Sequence, residues 1–139
     1  MDSDKSSKKP LKGHEHILFV DDEPEITFMC KKMLENLGYK VSIQSDSQSA
    51  LNEFKKNPTR YSLLVTDQNM PNILGTELAS RMRKIQPGLK VMIITGYAEN
   101  LSEEVLVKHG ISEVILKPMI LDDFSKAIRR VLDNENIKI

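Results

Sequence analysis

Apolar residues along the chain follow two alternating rhythms. Short unbroken runs at 17–20, 63–65 and 91–94 have the length and composition of strands covered on both faces. Between them, apolar residues three and four apart predict helices. The first helix is predicted over 24–37, with Ile26, Met29, Cys30, Met33, Leu34 and Leu37 facing inward, Pro24 in its first turn and Gly38 just past its end. The next is predicted over 48–56, with Ala50, Leu51 and Phe54 inward, Ser47 as its cap and Asn57-Pro58 as its stop. A third over 76–85 presents Leu78, Met82 and Ile85 and halts at Pro87-Gly88. A fourth over 101–108 has the thinnest stripe, Leu101, Val105 and Leu106, and is expected to be the most mobile. A fifth over 121–132 turns Leu121, Phe124, Ile128, Val131 and Leu132 inward. Strands are predicted over 17–20, 40–44, 63–66, 91–94 and 114–116.

Five strands alternating with five helices imply an α/β doubly wound parallel sheet with right-handed crossovers. No internal repeat or second domain is evident, and 139 residues suit one domain with a sizeable core. Residues 1–14 hold Lys5, Lys8, Lys9 and Lys12 with three serines, Pro10 and a single large apolar residue, Leu11. They read as a disordered tail or linker before a domain over 15–139. Lys plus Arg and Asp plus Glu both number 20, so no electrostatic footprint points to direct binding of nucleic acid or an anionic membrane. No apolar run approaches the roughly 20 residues of a membrane span, and no signal peptide precedes the domain, so a cytoplasmic location is expected. The lone Cys30 excludes an internal disulfide and reads as a core thiol. His14 and His16 lack a third ligand and read as a polar strand entry.

Ligands of an open parallel sheet bind beyond the carboxyl ends of its strands. Those ends carry Asp21-Asp22-Glu23, Ser45-Asp46, Asp67, Thr95 and Lys117-Pro118. If the first and third strands are neighbours, Asp21, Asp22 and Asp67 converge, and their mutual repulsion calls for a cation. Oxygen ligands without His or Cys suit Mg²⁺. A carboxylate beside such a metal can act as a nucleophile toward phosphorus, with Lys117 and the Thr95 hydroxyl supplying charge and a donor to the phosphoryl oxygens. Taken alone, Asp22 serves equally well as a helix cap, and Asp67 in a turn, Thr95 in a loop and Lys117 on the surface are the commoner duties. Their shared position at one end of successive strands outweighs those readings.

The segments Leu18-Phe19-Val20-Asp21-Asp22-Glu23-Pro24, Thr66-Asp67-Gln68-Asn69-Met70-Pro71, Ile94-Thr95-Gly96-Tyr97 and Leu116-Lys117-Pro118 resemble the motifs of response-regulator receiver domains of two-component signalling, from about Glu15 onward. The resemblance implies a flavodoxin-like sheet of order 2-1-3-4-5. It implies Asp67 as phosphoacceptor, Asp22 as a direct Mg²⁺ ligand, Asp21 acting largely through water, and the Asn69 backbone carbonyl completing the metal shell. It further implies Lys117 contacting the phosphoryl group, Thr95 as a switch hydroxyl and a cis Lys117–Pro118 bond. The phosphoryl group would come from a histidine kinase or histidine phosphotransfer protein docked near the first helix. No effector segment follows the fifth helix, so output is expected through a downstream protein target or onward transfer, without independent substrate turnover. Val114 departs from the pattern, since many receivers carry Tyr or Phe there; Tyr97 is the residue near enough in sequence to take a related part. The stretch from His14 to Glu23 is similar to receivers joined to hybrid sensor kinases. An aspartyl-phosphate phosphatase would need an acid/base carboxylate where Asn69 stands, a receiver-like scaffold that is never phosphorylated would lack one of the key residues, and a GTPase would need a phosphate-binding loop the chain lacks.

Overall fold

The computed structural model describes residues 12–98 and 100–133. Most of the predicted tail, residues 1–11, lies outside the described residues, as do the last six positions of the predicted domain, 134–139. In chain order the elements are β1 His16–Val20, α1 Pro24–Asn36, β2 Lys40–Gln44, α2 Ser47–Lys56, a 3-10 turn Pro58–Arg60, β3 Leu63–Asp67, α3 Gly75–Ile85, β4 Lys90–Thr95, α4 Glu103–His109, β5 Glu113–Leu116 and α5 Leu121–Asp133. The five strands form one sheet of order β2-β1-β3-β4-β5. Every pairing in it is parallel.

Successive strand side chains point to opposite faces, and the apolar runs divide accordingly. Ile17, Phe19, Leu63, Val65, Met92 and Ile94 pack with Cys30 and Leu34 of α1 and with Phe124, Ala127, Ile128 and Val131 of α5. Leu18, Val20, Leu64, Val91 and Ile93 pack with α2 and α3 on the other face. There α4 contributes only partly buried Val105 and Leu106, and none of its residues is fully buried; Leu101, expected to open this helix, is buried ahead of its first turn at Glu103.

Three details correct the sequence reading. Met29 and Ile85, expected to face inward, are 47% and 41% exposed. The buried stripe of α1 is narrower than its apolar set, consisting of Thr27, Cys30 and Leu34, so Met29 falls on its flank. Ile85 is the last residue of α3, beyond the buried Met82. Ser47 is not the cap of α2 but its first helical residue. Asp46 caps, its carboxylate accepting the Ser49 N–H at 2.8 Å. The Ser47 hydroxyl instead donates to the Ile73 carbonyl at 2.8 Å, tying α2 to the loop after β3. Gly38 does follow α1, in the left-handed region at φ 102°, where a Cβ would stand 2.3 Å from the Gly13 carbonyl oxygen. The Cys30 thiol is buried, and burial pushes its pKa up to about 11, which matches an inert core thiol.

Candidate functional site at the carboxyl end of the sheet

Register places the acidic residues together. Val20 of β1 is level with Thr66 of β3, so Asp21 and Asp67 each stand one residue beyond that pair. Asp22 follows in the turn into α1, and one ligand oxygen from each of Asp21, Asp22 and Asp67 lies within 4.8 Å of the others. Asp21 and Asp67 are buried while Asp22 is exposed, giving a cup with a dry floor and a wet lip. Asp22 does not cap α1. The residue at that cap is Glu23, which makes no side-chain cap bond, and the Glu23 N–H is taken by Asp21 Oδ1 at 2.9 Å.

Burial pushes the Asp21 carboxyl up to about 6; the Glu23 N–H and the Lys117 charge pull it back, while the Asp67 and Glu23 charges raise it further. Its Oδ2 is buried without a hydrogen-bond partner among the described residues. Lys117 leans over the cup from the end of β5. Its Nζ lies 3.7 Å from Asp21 Oδ2, 3.5 Å from Asp67 Oδ2 and 3.1 Å from Glu23 Oε1. Burial alone would lower the Lys117 pKa, but the Glu23 hydrogen bond and the charges of Asp21 and Asp67 outweigh it and raise the pKa above its ordinary value. The Lys117–Pro118 bond is cis, as the motif led one to expect.

The opposite wall comes from the loops after β3 and β4. The Asn69 N–H approaches Asp67 Oδ1 at 3.4 Å. The buried Thr95 hydroxyl is engaged within its own loop: it donates to the Tyr97 carbonyl at 2.8 Å and accepts the Tyr97 N–H at 3.1 Å. The Tyr97 side chain is 69% exposed. Val114, level with Ile93 on the edge strand, packs against the α2/α3 side of the core. A cleft of about 500 Å³ opens here, lined by Gln68, Asn69, Thr76, Tyr97 and Asn100 among others.

Two residues of the site carried no role in the sequence reading. Glu23 makes the shortest contact to Lys117. Gln68, next to Asp67, fastens α3 to β3. Its Oε1 accepts the Thr76 N–H at 2.9 Å, its Nε2 donates to Thr76 Oγ1 at 3.3 Å, and its carbonyl accepts the Gly75 N–H at 3.0 Å. Gly75 permits this approach, because a Cβ there would sit 2.6 Å from the Asp67 carbonyl oxygen. The signal for Gln68 was a glycine opening a helix close behind a strand end, a pattern that marks tight backbone packing without naming its partner.

The response regulator receiver domain family matches residues 17–129. The chain belongs to this family. It is 34% identical over 116 residues to the response regulator receiver protein CpdR of Brucella abortus, covering 84% of this chain and 95% of that protein. It is 35% identical over 106 residues to the sensor protein EvgS of Escherichia coli strain K12, covering 76% of this chain and 9% of EvgS. It likewise spans 18% of the length of the Saccharomyces cerevisiae transcription factor SKN7. Among solved structures, the response regulator TrrA of Thermotoga maritima in complex with Mg²⁺-BeF is 28% identical, with a TM-score of 0.75 over 84% of this chain and 98% of TrrA. The receiver domain is thus a module of two-component signalling that recurs in proteins of very different length.

Proposed function

We propose that the domain is a phosphoacceptor switch in which Asp67 takes a phosphoryl group from a phosphohistidine on a histidine kinase or histidine phosphotransfer protein. The observation that carries this reading is the convergence of Asp21, Asp22 and Asp67 beneath the Lys117 ammonium. An all-oxygen donor set of three carboxylates, one bearing a buried oxygen without a hydrogen bond among the described residues, fits a hard divalent cation. Asp21, Asp22, Asp67 and the Asn69 carbonyl would hold Mg²⁺, and the TrrA complex with Mg²⁺-BeF supports that assignment. When bound, Mg²⁺ supplies neutralisation of charge on the phosphoryl oxygens.

The remaining work falls to the chain's own groups. An Asp67 carboxylate oxygen attacks phosphorus, forming a P–O bond as the P–N bond breaks and the imidazole leaves. The Lys117 ammonium neutralises charge on the transferred group. The Thr95 hydroxyl exchanges its bond to the Tyr97 carbonyl for one to a phosphoryl oxygen, freeing the loop after β4 next to the weakly anchored α4. That biases a pre-existing equilibrium of the face built from α4, β5 and α5, which a downstream protein reads. Phe28 and Met29, 63% and 47% exposed on α1 beside the cup, offer the donor protein an apolar contact. The reading places the exchange in the cytoplasm, which supplies ATP-derived phosphoryl groups, with no direct role for membrane or nucleic acid.

Incubation with acetyl phosphate and Mg²⁺, followed by intact mass measurement, tests the assignment. The wild type is expected to gain one phosphoryl group and Asp67→Ala none. Undiminished labelling of Asp67→Ala would remove Asp67 from its role.

A further inference from the structure

Lys117 is surrounded by three carboxylates but hydrogen-bonds to only one of them. Glu23 Oε1 lies 3.1 Å from its Nζ, whereas Asp67 and Asp21 lie at 3.5 and 3.7 Å and attract it by charge alone. The chosen partner is the most exposed of the three, with side chains 54% exposed at Glu23, 9% at Asp67 and 0% at Asp21. An ammonium is strongly hydrated, and drawing it onto the buried pair would cost desolvation. Glu23 lets it keep water while staying near the cup. The consequence shows at Asp21, whose Oδ2 keeps no hydrogen bond among the described residues although a donor stands at 3.7 Å.

We propose that Glu23 is a positioning residue for Lys117: its carboxylate holds the ammonium at the rim, off Asp21 and Asp67, and thereby keeps the cup open to a divalent cation. The proposal rests on the reading of the cup as a Mg²⁺ site. An ammonium and a divalent cation repel each other and need the same oxygens, so a lysine released from Glu23 settles onto Asp67 and Asp21 and competes with the metal. Lys117 tethered at the rim stays available to a phosphoryl group without blocking the ions that precede it.

The test is a double-mutant cycle read by Mg²⁺ affinity, from NMR amide-shift titration at fixed ionic strength without any phosphodonor. Glu23→Gln keeps the length of the side chain and removes its charge. It is expected to weaken Mg²⁺ binding about fivefold when Lys117 is present. In a Lys117→Met background the same change is expected to weaken it less than about twofold, since only a screened, exposed charge is then lost. Glu23→Asp keeps the charge but shortens the reach, and is expected to weaken binding about threefold in the Lys117 background alone. Melting curves in metal-free buffer check that each variant folds; if Glu23→Gln does not, Glu23→Asp carries the cycle. Equal factors in both backgrounds, or wild-type affinity in the Glu23 variants, overturn the proposal while leaving the cup as a metal site. Failure of the wild type to bind Mg²⁺ overturns both.

Discussion

β1 has a charge cluster at each end, and the two are built from similar parts to opposite effect. Glu15, just before the strand, meets Arg129 of α5 in a two-pronged pair, Nη1 to Oε1 at 3.1 Å and Nη2 to Oε2 at 2.8 Å. Arg129 also donates to Asp133, to the Tyr39 hydroxyl and to the Lys12 carbonyl. The side-chain hydrogen bond from Arg129 is the main reason the Glu15 carboxyl is held down at about 2. Asp21, just after the strand, is instead pushed up to about 6 by burial, and one of its oxygens finds no hydrogen bond among the described residues. One end matches a planar, five-donor cation to its anions and knits the chain before β1 to α5. The other gathers carboxylates around a single compact ammonium and leaves an excess of negative charge. A satisfied cluster stabilises the fold and has no chemistry left to offer; an unsatisfied one costs stability and is ready for a ligand.

The largest break in this contrast is expected from Asp21→Asn. It removes a buried anionic oxygen of the cup, and Mg²⁺ affinity is expected to fall about 100-fold, near the upper end of losses on disturbing a metal site's supporting groups. Isothermal titration calorimetry measures it. A loss below about threefold would mean that Asp21 takes little part in holding the cation.

Next comes Arg129→Leu, which strands Glu15 and frees the residues before β1. Hydrogen bonds to charged groups contribute about 1.5–3 kcal/mol, so a loss of about 3 kcal/mol in urea unfolding is expected. Mg²⁺ affinity should stay within about twofold, because the cluster lies at the far end of β1.

The two ends also predict opposite pH slopes for the metal-free protein. Asp21 has a folded pKa of about 6, above its ordinary value of 3.8, so the folded state binds the extra proton. Its contribution is fully present below pH 3.8 and is lost as pH rises through 6. Hence Asp21→Asn is expected to stabilise the metal-free protein by about 2 kcal/mol at pH 7.5 and to flatten the slope between pH 4 and 6. Glu15 is the reverse case: its contribution is present above pH 4.5 and is lost as pH falls toward 2. Chemical denaturation across pH in EDTA resolves both, and an Asp21→Asn protein no more stable than wild type would show that the cup costs the fold nothing.

What the sequence revealed follows the same divide between local and distant information. The runs at 17–20, 63–65 and 91–94 declared buried parallel strands because their coverage on both faces is written into consecutive residues. The strand order rested on motif resemblance, since parallel pairing joins residues far apart in the chain. Asp21, Asp22, Asp67, Thr95 and Lys117 were legible because each stands within two residues of the end of a predicted strand. Glu23 stands beside two of them and still had no role, because its partner lies 94 residues away. The Glu15–Arg129 pair spans 114 residues and left no local trace at all. The Ser47 cap failed for the same reason, its hydroxyl being claimed by Ile73, 26 residues on.

The smallest expected effect tests whether satisfaction, rather than charge alone, distinguishes the two ends. Glu15→Gln keeps one acceptor oxygen for Arg129, and Arg129 keeps Asp133, Tyr39 and the Lys12 carbonyl. Because the guanidinium is left with most of its partners, the loss is expected to be about 1 kcal/mol, well under that of Arg129→Leu, and to vanish only as pH falls through about 2, where the wild-type carboxylate is itself protonated. If Glu15→Gln cost as much as Arg129→Leu, the cluster would depend on one ion pair rather than on its network. It would then be as vulnerable to a single lost charge as the cup at the other end of the same strand.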